Sequence, residues 1–244
     1  MSGVSVRGLS RAYEDEYALV GLDAEFPVGT VTAVLGPNGA GKSTLLQLLS
    51  LLSEPTEGAL FFGREEALGQ EPLHRAKVGY VGHQTMLYTA LSGRQNLVFF
   101  GGLYRVSDLE QRVESLLACV GLTEDADRPV REYSRGMKQR LTIARALLPR
   151  PKVLLLDEPF TGLDQRALAQ MIDLFSTVKR EGAVVVLVSH DLKTANLLAD
   201  RALILRRGRK VFEGPTSGDL ATLYNEIVVG PVASGRVATE RGAS

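Results

Sequence analysis

A chain of 244 residues can bury a sizeable core in one α/β domain, with or without a small added lobe, so its length does not require two full domains. With 45% hydrophobic and 23% charged residues it has the composition of a globular protein, which argues against disorder along most of the chain. Its 28 basic and 28 acidic side chains cancel, leaving no global field to recruit nucleic acid or an anionic membrane; any membrane link must be local.

The opening residues, MSGVSVRGLS, lack the apolar stretch of a secretory signal, which predicts a cytoplasmic protein. Short strands follow at Val4–Val6, Ala18–Phe26 and Val31–Leu35, punctuated by Pro27, Gly29 and Thr30. The third strand ends directly in Gly36, and Lys42–Leu52 continues as a leucine-rich helix, giving a strand, glycine loop, helix unit. Strand-like segments recur at Ala59–Phe62 and Lys77–Val81. Between about 86 and 150 the pattern becomes helical, with apolar residues at 109, 113, 116, 117 and 120 and again at 137, 141, 144, 147 and 148. This helical lobe stops at Pro149-Arg150-Pro151, because proline cannot continue a helix. Cys119, the only cysteine, excludes an internal disulfide and a cysteine-cluster metal site, and its setting in LLACVGL reads as core.

Beyond the lobe, Val153–Leu156 and Val184–Val188 are continuous apolar runs, the mark of parallel strands buried on both faces. A helix at Gln165–Lys179 joins them as a crossover. Val184–Val188 is also the longest apolar run, far short of the roughly 18 to 20 residues that span a bilayer, so no membrane crossing is expected. Ala202–Leu205 and Arg209–Phe212 flank Gly208 and predict a closing hairpin. From about Val229 the chain turns to Gly, Ala, Ser and charge, and residues 226–244 are expected to form a mobile tail.

Two segments carry chemistry. Gly36, Pro37, Asn38, Gly39, Ala40, Gly41, Lys42 and Ser43 match G-x-x-x-x-G-K-[ST], with Thr44 next. Glycines let backbone amides close around a β-phosphate, Lys42 neutralises β/γ charge, and the Ser43 hydroxyl suits magnesium. The second segment is a hydrophobic strand ending in Asp157 and Glu158. In a parallel sheet ligands gather at the carboxyl ends of strands, where the phosphate loop also emerges. Asp157 is then placed to hold magnesium through water, and Glu158 to polarise an attacking water as general base. The alternative is that both acids cap the following helix, for which Pro159 is suited.

Taken together, these segments resemble the ABC ATPase family over about residues 2 to 225. The matching stretches are GPNGAGKST at Gly36–Thr44, VLLLDEP at Val153–Pro159, and YSRGMKQR at Tyr133–Arg140 in place of the family's LSGGQ signature. Gln84 matches the Q-loop, TGLD at Thr161–Asp164 the D-loop, and His190 in VSHD the switch histidine. The resemblance implies an α/β fold: a P-loop NTPase core with a mainly parallel sheet, an N-terminal antiparallel β lobe and an inserted helical lobe. It also implies ATP and Mg2+ as cofactors, with the nucleotide held between two subunits, a homodimer or a pair of ABC ATPases. Lys42, Gln84, Glu158 and His190 would be catalytic; Ser43, Gln84 and Asp157 would serve the metal. The loop from Gly36 to Thr44 and Asp164 would contact nucleotide, and Ser134 and Gly136 would touch the γ-phosphate held by the partner. Ser134 is also placed to cap the helix running to Leu148. Tyr13, 23 residues before Gly36, would stack on adenine, with Tyr17 the competing choice. The signature departs from consensus at Arg135 and Met137; Arg135 either adds positive charge near the γ-phosphate or is solvated.

Within transporters of this family, the region after Gln84 receives the membrane subunit. An integral membrane partner is therefore expected to dock near Gln84–Tyr88, on exposed Met86, Leu87 and Tyr88, unless these three are core of the helical lobe. Such a subunit sits peripherally on the inner face of the cell membrane. VGHQ, SRGM and DEPFTGLD look most like the haem-exporter ATPase of cytochrome c maturation, although ATPases exporting drugs, lipids or antibiotics use similar wording. A soluble ABC ATPase acting on nucleic acid or the ribosome would show a second cassette or a long coiled-coil insertion. A GTPase would show N-K-x-D. Neither is present, and no nucleic-acid partner is expected.

Overall fold

The computed structural model describes residues 3–14, 16–67, 71–216 and 218–229. In chain order the elements are β1 (Val4–Tyr13), β2 (Glu16–Phe26), β3 (Val31–Leu35), α1 (Lys42–Leu49), β4 (Glu57–Phe62), β5 (Glu65–Glu66), α2 (Glu71–Arg75) and β6 (Val78–Val81). Then come α3 (Gly93–Leu103), α4 (Leu109–Cys119), a 3-10 turn (Val130–Glu132), α5 (Arg135–Leu147), β7 (Val153–Asp157), α6 (Gln165–Arg180) and β8 (Val184–Val188). The chain closes with α7 (Leu192–Asn196), β9 (Arg201–Arg206), β10 (Arg209–Pro215), α8 (Leu220–Tyr224) and a π-helical turn (Asn225–Val229).

The strands form two sheets. One is antiparallel, in the order β2-β1-β4-β5; the other has six strands in the order β10-β9-β3-β8-β7-β6. In the larger sheet β6, β7, β8, β3 and β9 run parallel, and β10 alone returns antiparallel against β9. Its central strands divide their residues between two cores with the period of two that a pleated strand imposes. Leu154 and Leu156 of β7 and Val185 and Leu187 of β8 pack with α3 to α6 on one face. Val153, Leu155, Val184, Val186 and Val188 pack on the other face with α1 and the antiparallel sheet. This division is the physical content of the unbroken apolar runs.

The antiparallel sheet is more extensive than its apolar residues suggest, since β1 runs to Tyr13 rather than stopping at Val6. It is held by β2 on one side and β4 on the other, in registers that pair Val4 with both Phe26 and Phe62. Conversely, α1 ends at Leu49, three residues before the expected Leu52, because Leu51 takes a left-handed φ of 59°. The two sheets meet at the β9–β10 turn. There Gly208 accepts a hydrogen bond from the Val20 amide at 2.9 Å and donates its own amide to the Ala40 carbonyl at 3.2 Å.

Two further expectations need correction. Cys119 is exposed rather than core. On α4 the buried arc is made by Val113, Leu116 and Leu117, and position 119 lies off that arc toward solvent. Of the expected tail, residues 226–229 belong to the π turn, where Ile227 and Val228 pack against the larger core. The remainder, 230–244, lies outside the described residues.

Candidate active site

β3 delivers the chain into the phosphate loop and α1 carries it away. The bend needs left-handed or extended glycine conformations, supplied by Gly36 (φ 151°), Gly39 (φ 75°) and Gly41 (φ 99°), the last of which is the N-cap of α1. The loop is braced from within: the Ala40 amide donates to the Pro37 carbonyl at 3.2 Å. Lys42 Nζ donates to the carbonyls of Gly36 at 2.8 Å and Pro37 at 2.9 Å. Burial lowers the Lys42 pKa, and the nearby charges of Glu158 and Asp157 partly offset that.

β7 pairs with β8 so that Asp157 lies beside Val188, which brings the two acids to the same end of the sheet as the loop. One cleft gathers residues from Asn38 to Thr44 together with Ala18, His83, Asp157, Glu158 and His190. Burial raises the Asp157 pKa, while a hydrogen bond from the Ser43 hydroxyl and the charges of His83, Lys42 and His190 hold it down. Glu158 adopts a left-handed φ of 51°, costly for a residue with a Cβ. Its amide donates to the Val188 carbonyl at 3.0 Å, and its Oε1 is buried 3.7 Å from His190 Nε2. Burial raises the Glu158 pKa against the opposing influence of His190. Neither acid caps a helix: Asp164 is the N-cap of α6 and accepts from the Ala167 amide at 2.8 Å, while Asp191 caps α7.

Other sequence-nominated residues lie around this centre. Gln84 is exposed in the loop between β6 and α3; its neighbours His83 and Thr85 line the adjoining cleft, but Gln84 does not. Tyr13 is exposed, its hydroxyl donating to Gln47 Oε1 on α1 at 3.3 Å, with the Arg11 guanidinium 4.8 Å from its ring centroid. The Tyr17 hydroxyl points instead to Glu57 on β4, at 3.4 Å. Tyr13 is thus the one tied to the helix that follows the phosphate loop. Ser134 caps α5, accepting from the Met137 amide at 3.2 Å. Gly136 packs so closely on the D-loop that a Cβ there would stand 2.5 Å from the Gly162 carbonyl oxygen. Neither Ser134 nor Gly136 lines the phosphate cleft of its own chain. Arg135 is exposed, its stem along Gly162, and lines the adjoining cleft with Lys138 and Glu158.

The segment after Gln84 is partly apolar and open. Met86 and Tyr88 are 56% and 51% exposed, but Leu87 is half-buried against the larger core and is not part of the open face. Tyr88 continues into an aromatic cluster on α3, with Phe99 edge-on at 5.0 Å and Phe100 at 5.9 Å. Phe99, Leu103 and Tyr104 are exposed beside it. His83 enters the sequence reading only inside VGHQ, with no role of its own, and the readable signal is its position: like His190, it is the second residue past a strand that flanks β7.

The sequence model of the ABC transporter family matches residues 19–161. This chain belongs to the ABC transporter family. As a member it is an ATP-hydrolysing enzyme on the ABC ATPase fold. Among relatives of the ABC protein, a daunorubicin resistance ATP-binding protein of Streptomyces coeruleorubidus is 38% identical over 87% of this chain and 68% of its own length. A Nod factor export ATP-binding protein I of Rhizobium johnstonii is 35% identical over 86% of this chain and 68% of its own. The chain thus spans about two thirds of the length of these relatives. Among solved structures, an ATP-binding subunit of an ABC transporter superposes with a TM-score of 0.86 at 29% identity, covering 92% of this chain and 99% of that one. A dimeric ATP-binding cassette in a post-hydrolysis state with ADP and Pi gives 0.79 at 27% identity, over 88% and 99%. No helix among the described residues is long and apolar enough to cross a membrane.

Proposed function

We propose that this ABC ATPase is the Mg2+-dependent motor subunit of a membrane exporter, working as a dimer with nucleotide shared between subunits. The observation that carries the reading is the convergence of Lys42, Ser43, Asp157, Glu158 and His190 at one end of the parallel sheet. Ser43 and Asp157, two oxygen donors already in hydrogen-bond contact, fit a hard divalent cation, with exposed Gln84 as a further ligand from the loop beside them. Bound Mg2+ supplies neutralisation of phosphate charge. The chain's residues do the rest. Lys42 exchanges two loop carbonyls for β- and γ-phosphate oxygens, Glu158 accepts a proton from the attacking water, and His190 holds the γ-phosphate end beside it. Gly36 to Thr44 wraps the phosphates, Tyr13 stacks on adenine and Asp164 reaches the nucleotide across the dimer.

Ser134 and Gly136 stand at the N-terminus of α5, where exposed amides and the helix dipole favour an anion, and they would meet the γ-phosphate of the partner subunit. Residues 2–225 make up the ATPase unit, with its helical lobe at about 86–150. An integral membrane subunit docks on the face that begins after Gln84 at Met86 and Tyr88, holding the ATPase on the inner side of the membrane. Similarity to drug-resistance and Nod factor export subunits favours the drug, lipid or antibiotic branch over haem export.

The test is ATP turnover with and without Mg2+ in the wild type and in Glu158→Gln. The wild type turns over only with the metal. The variant loses at least about 100-fold in kcat yet elutes as a dimer when ATP is present. A wild type that binds no nucleotide, or a variant that keeps full turnover, overturns the mechanism. Fractionation with ribosomes or DNA instead of a membrane protein overturns the exporter assignment.

A further inference from the structure

His83 has no role of its own in the family pattern used above, where it stands only inside VGHQ, yet, like Asp157, Glu158 and His190, it lines both clefts at the acids. It lines the phosphate cleft with Lys42 and Glu158, and also the adjoining cleft with Arg135 and Lys138. Strand register explains why. Val81 of β6 lies beside Leu156 of β7, so two residues further His83 arrives level with Glu158. On the other side, Asp157 lies beside Val188 of β8, and two residues further stands His190. β7 is therefore bracketed by two histidines, each the second residue beyond its strand. His83 is also near enough to Asp157 to act on its charge, as His190 is. The ring of Tyr80 lies over Gly82 and occupies the space behind the turn, so the turn carries His83 at its open side.

We propose that His83 is a further catalytic residue, an imidazole N–H that donates to the terminal phosphate of bound ATP from the β6 side, opposite His190 on the β8 side. The inference rests on the ATPase reading given above. An imidazole donor is suited to the task because it adds a directed hydrogen bond to the γ-phosphate oxygens without the bulk of a lysine or arginine. Such a donor distinguishes ATP from ADP, since only ATP brings an oxygen to that point. Its position immediately before Gln84 also places a phosphate contact at the start of the segment that leads into the exposed face at Met86 and Tyr88.

The experiment compares wild type, His83→Ala and His83→Gln in steady-state ATP turnover, and measures ATP and ADP affinity of His83→Ala in a Glu158→Gln background. His83→Ala lowers kcat about 10- to 100-fold and raises the KM for ATP about tenfold; the fall in kcat is less than the roughly 100- to 1000-fold seen on removing a fully enclosed donor, because His83 is exposed. His83→Gln, which keeps an N–H donor, recovers part of that loss. ATP affinity falls about tenfold while ADP affinity holds. A kcat within twofold of wild type, or equal weakening of ATP and ADP, overturns the inference. An inactive wild type brings down the ATPase reading and this inference together. An active wild type beside an equally active His83→Ala brings down this inference alone.

Discussion

Glu158 concentrates the conflict at the site. It takes a left-handed backbone angle, has a buried carboxylate oxygen without a hydrogen-bond partner, and carries a pKa raised by burial. A carboxylate whose folded pKa lies above its unfolded value near 4.5 keeps its proton longer in the folded state. Stability contributed by that group is therefore present at low pH and lost as pH rises through the window between the two values. Without nucleotide or metal, Glu158→Gln is expected to raise Tm at pH 7, with the gain shrinking toward zero as the pH falls to about 4. Thermal denaturation across a pH series checks it; a variant less stable at neutral pH contradicts the account. Lys42, Ser43 and Asp157 are nominated by residue types at fixed spacing and His190 by its resemblance to the switch histidine, and the fold brings all four to one cleft. Cys119 was misread because an apolar neighbourhood in sequence does not fix which side of a helix a residue takes. His83 was missed because its meaning comes from register with β7, and register is not written in the residues of β6.

At the scale of elements, the helix starts are set by side chains that close the first turn. Ser92 and Gln95 form a reciprocal capping box on α3, the Gln95 amide donating to Ser92 Oγ at 3.1 Å and the Ser92 amide to Gln95 Oε1 at 2.9 Å. Asp164 does the same for α6 alone. Ser92→Ala and Asp164→Ala are each expected to cost about 1 kcal/mol, read as a lowered urea midpoint at unchanged slope. Asp164→Ala would in addition weaken turnover if its carboxylate also reaches nucleotide across the dimer, so the two variants separate capping from chemistry. β7 and β8 were readable as unbroken apolar runs because both faces are covered. The outer part of β1 was not, since Gly8, Ser10 and Arg11 interrupt its alternation and pairing with β2 and β4 holds the strand there regardless. The two-residue strand β5, Glu65–Glu66, has no apolar signal at all and exists through its pairing with Phe61 and Phe62.

For the whole molecule, most strands could be placed from sequence but not their order: that β3 lies between β8 and β9 depends on crossovers that bring distant segments together. The same assembly leaves one aromatic face uncovered, where Tyr88, Phe99, Leu103 and Tyr104 are exposed together. Tyr88→Glu is expected to leave ATP turnover of the isolated protein within about twofold and to abolish co-purification with the proposed membrane subunit, because a charge within the proposed apolar contact would have to be desolvated. Retained co-purification would move the docking site elsewhere. The turn at Gly208 has a different kind of importance. With φ at 74° and only 2.8 Å between a Cβ position and the Ala18 carbonyl, it admits no side chain, yet it ties Val20 of one sheet, the β9–β10 hairpin and Ala40 of the phosphate loop to a single amino acid. A side chain there, though outside the cleft itself, would loosen the nucleotide cradle from behind.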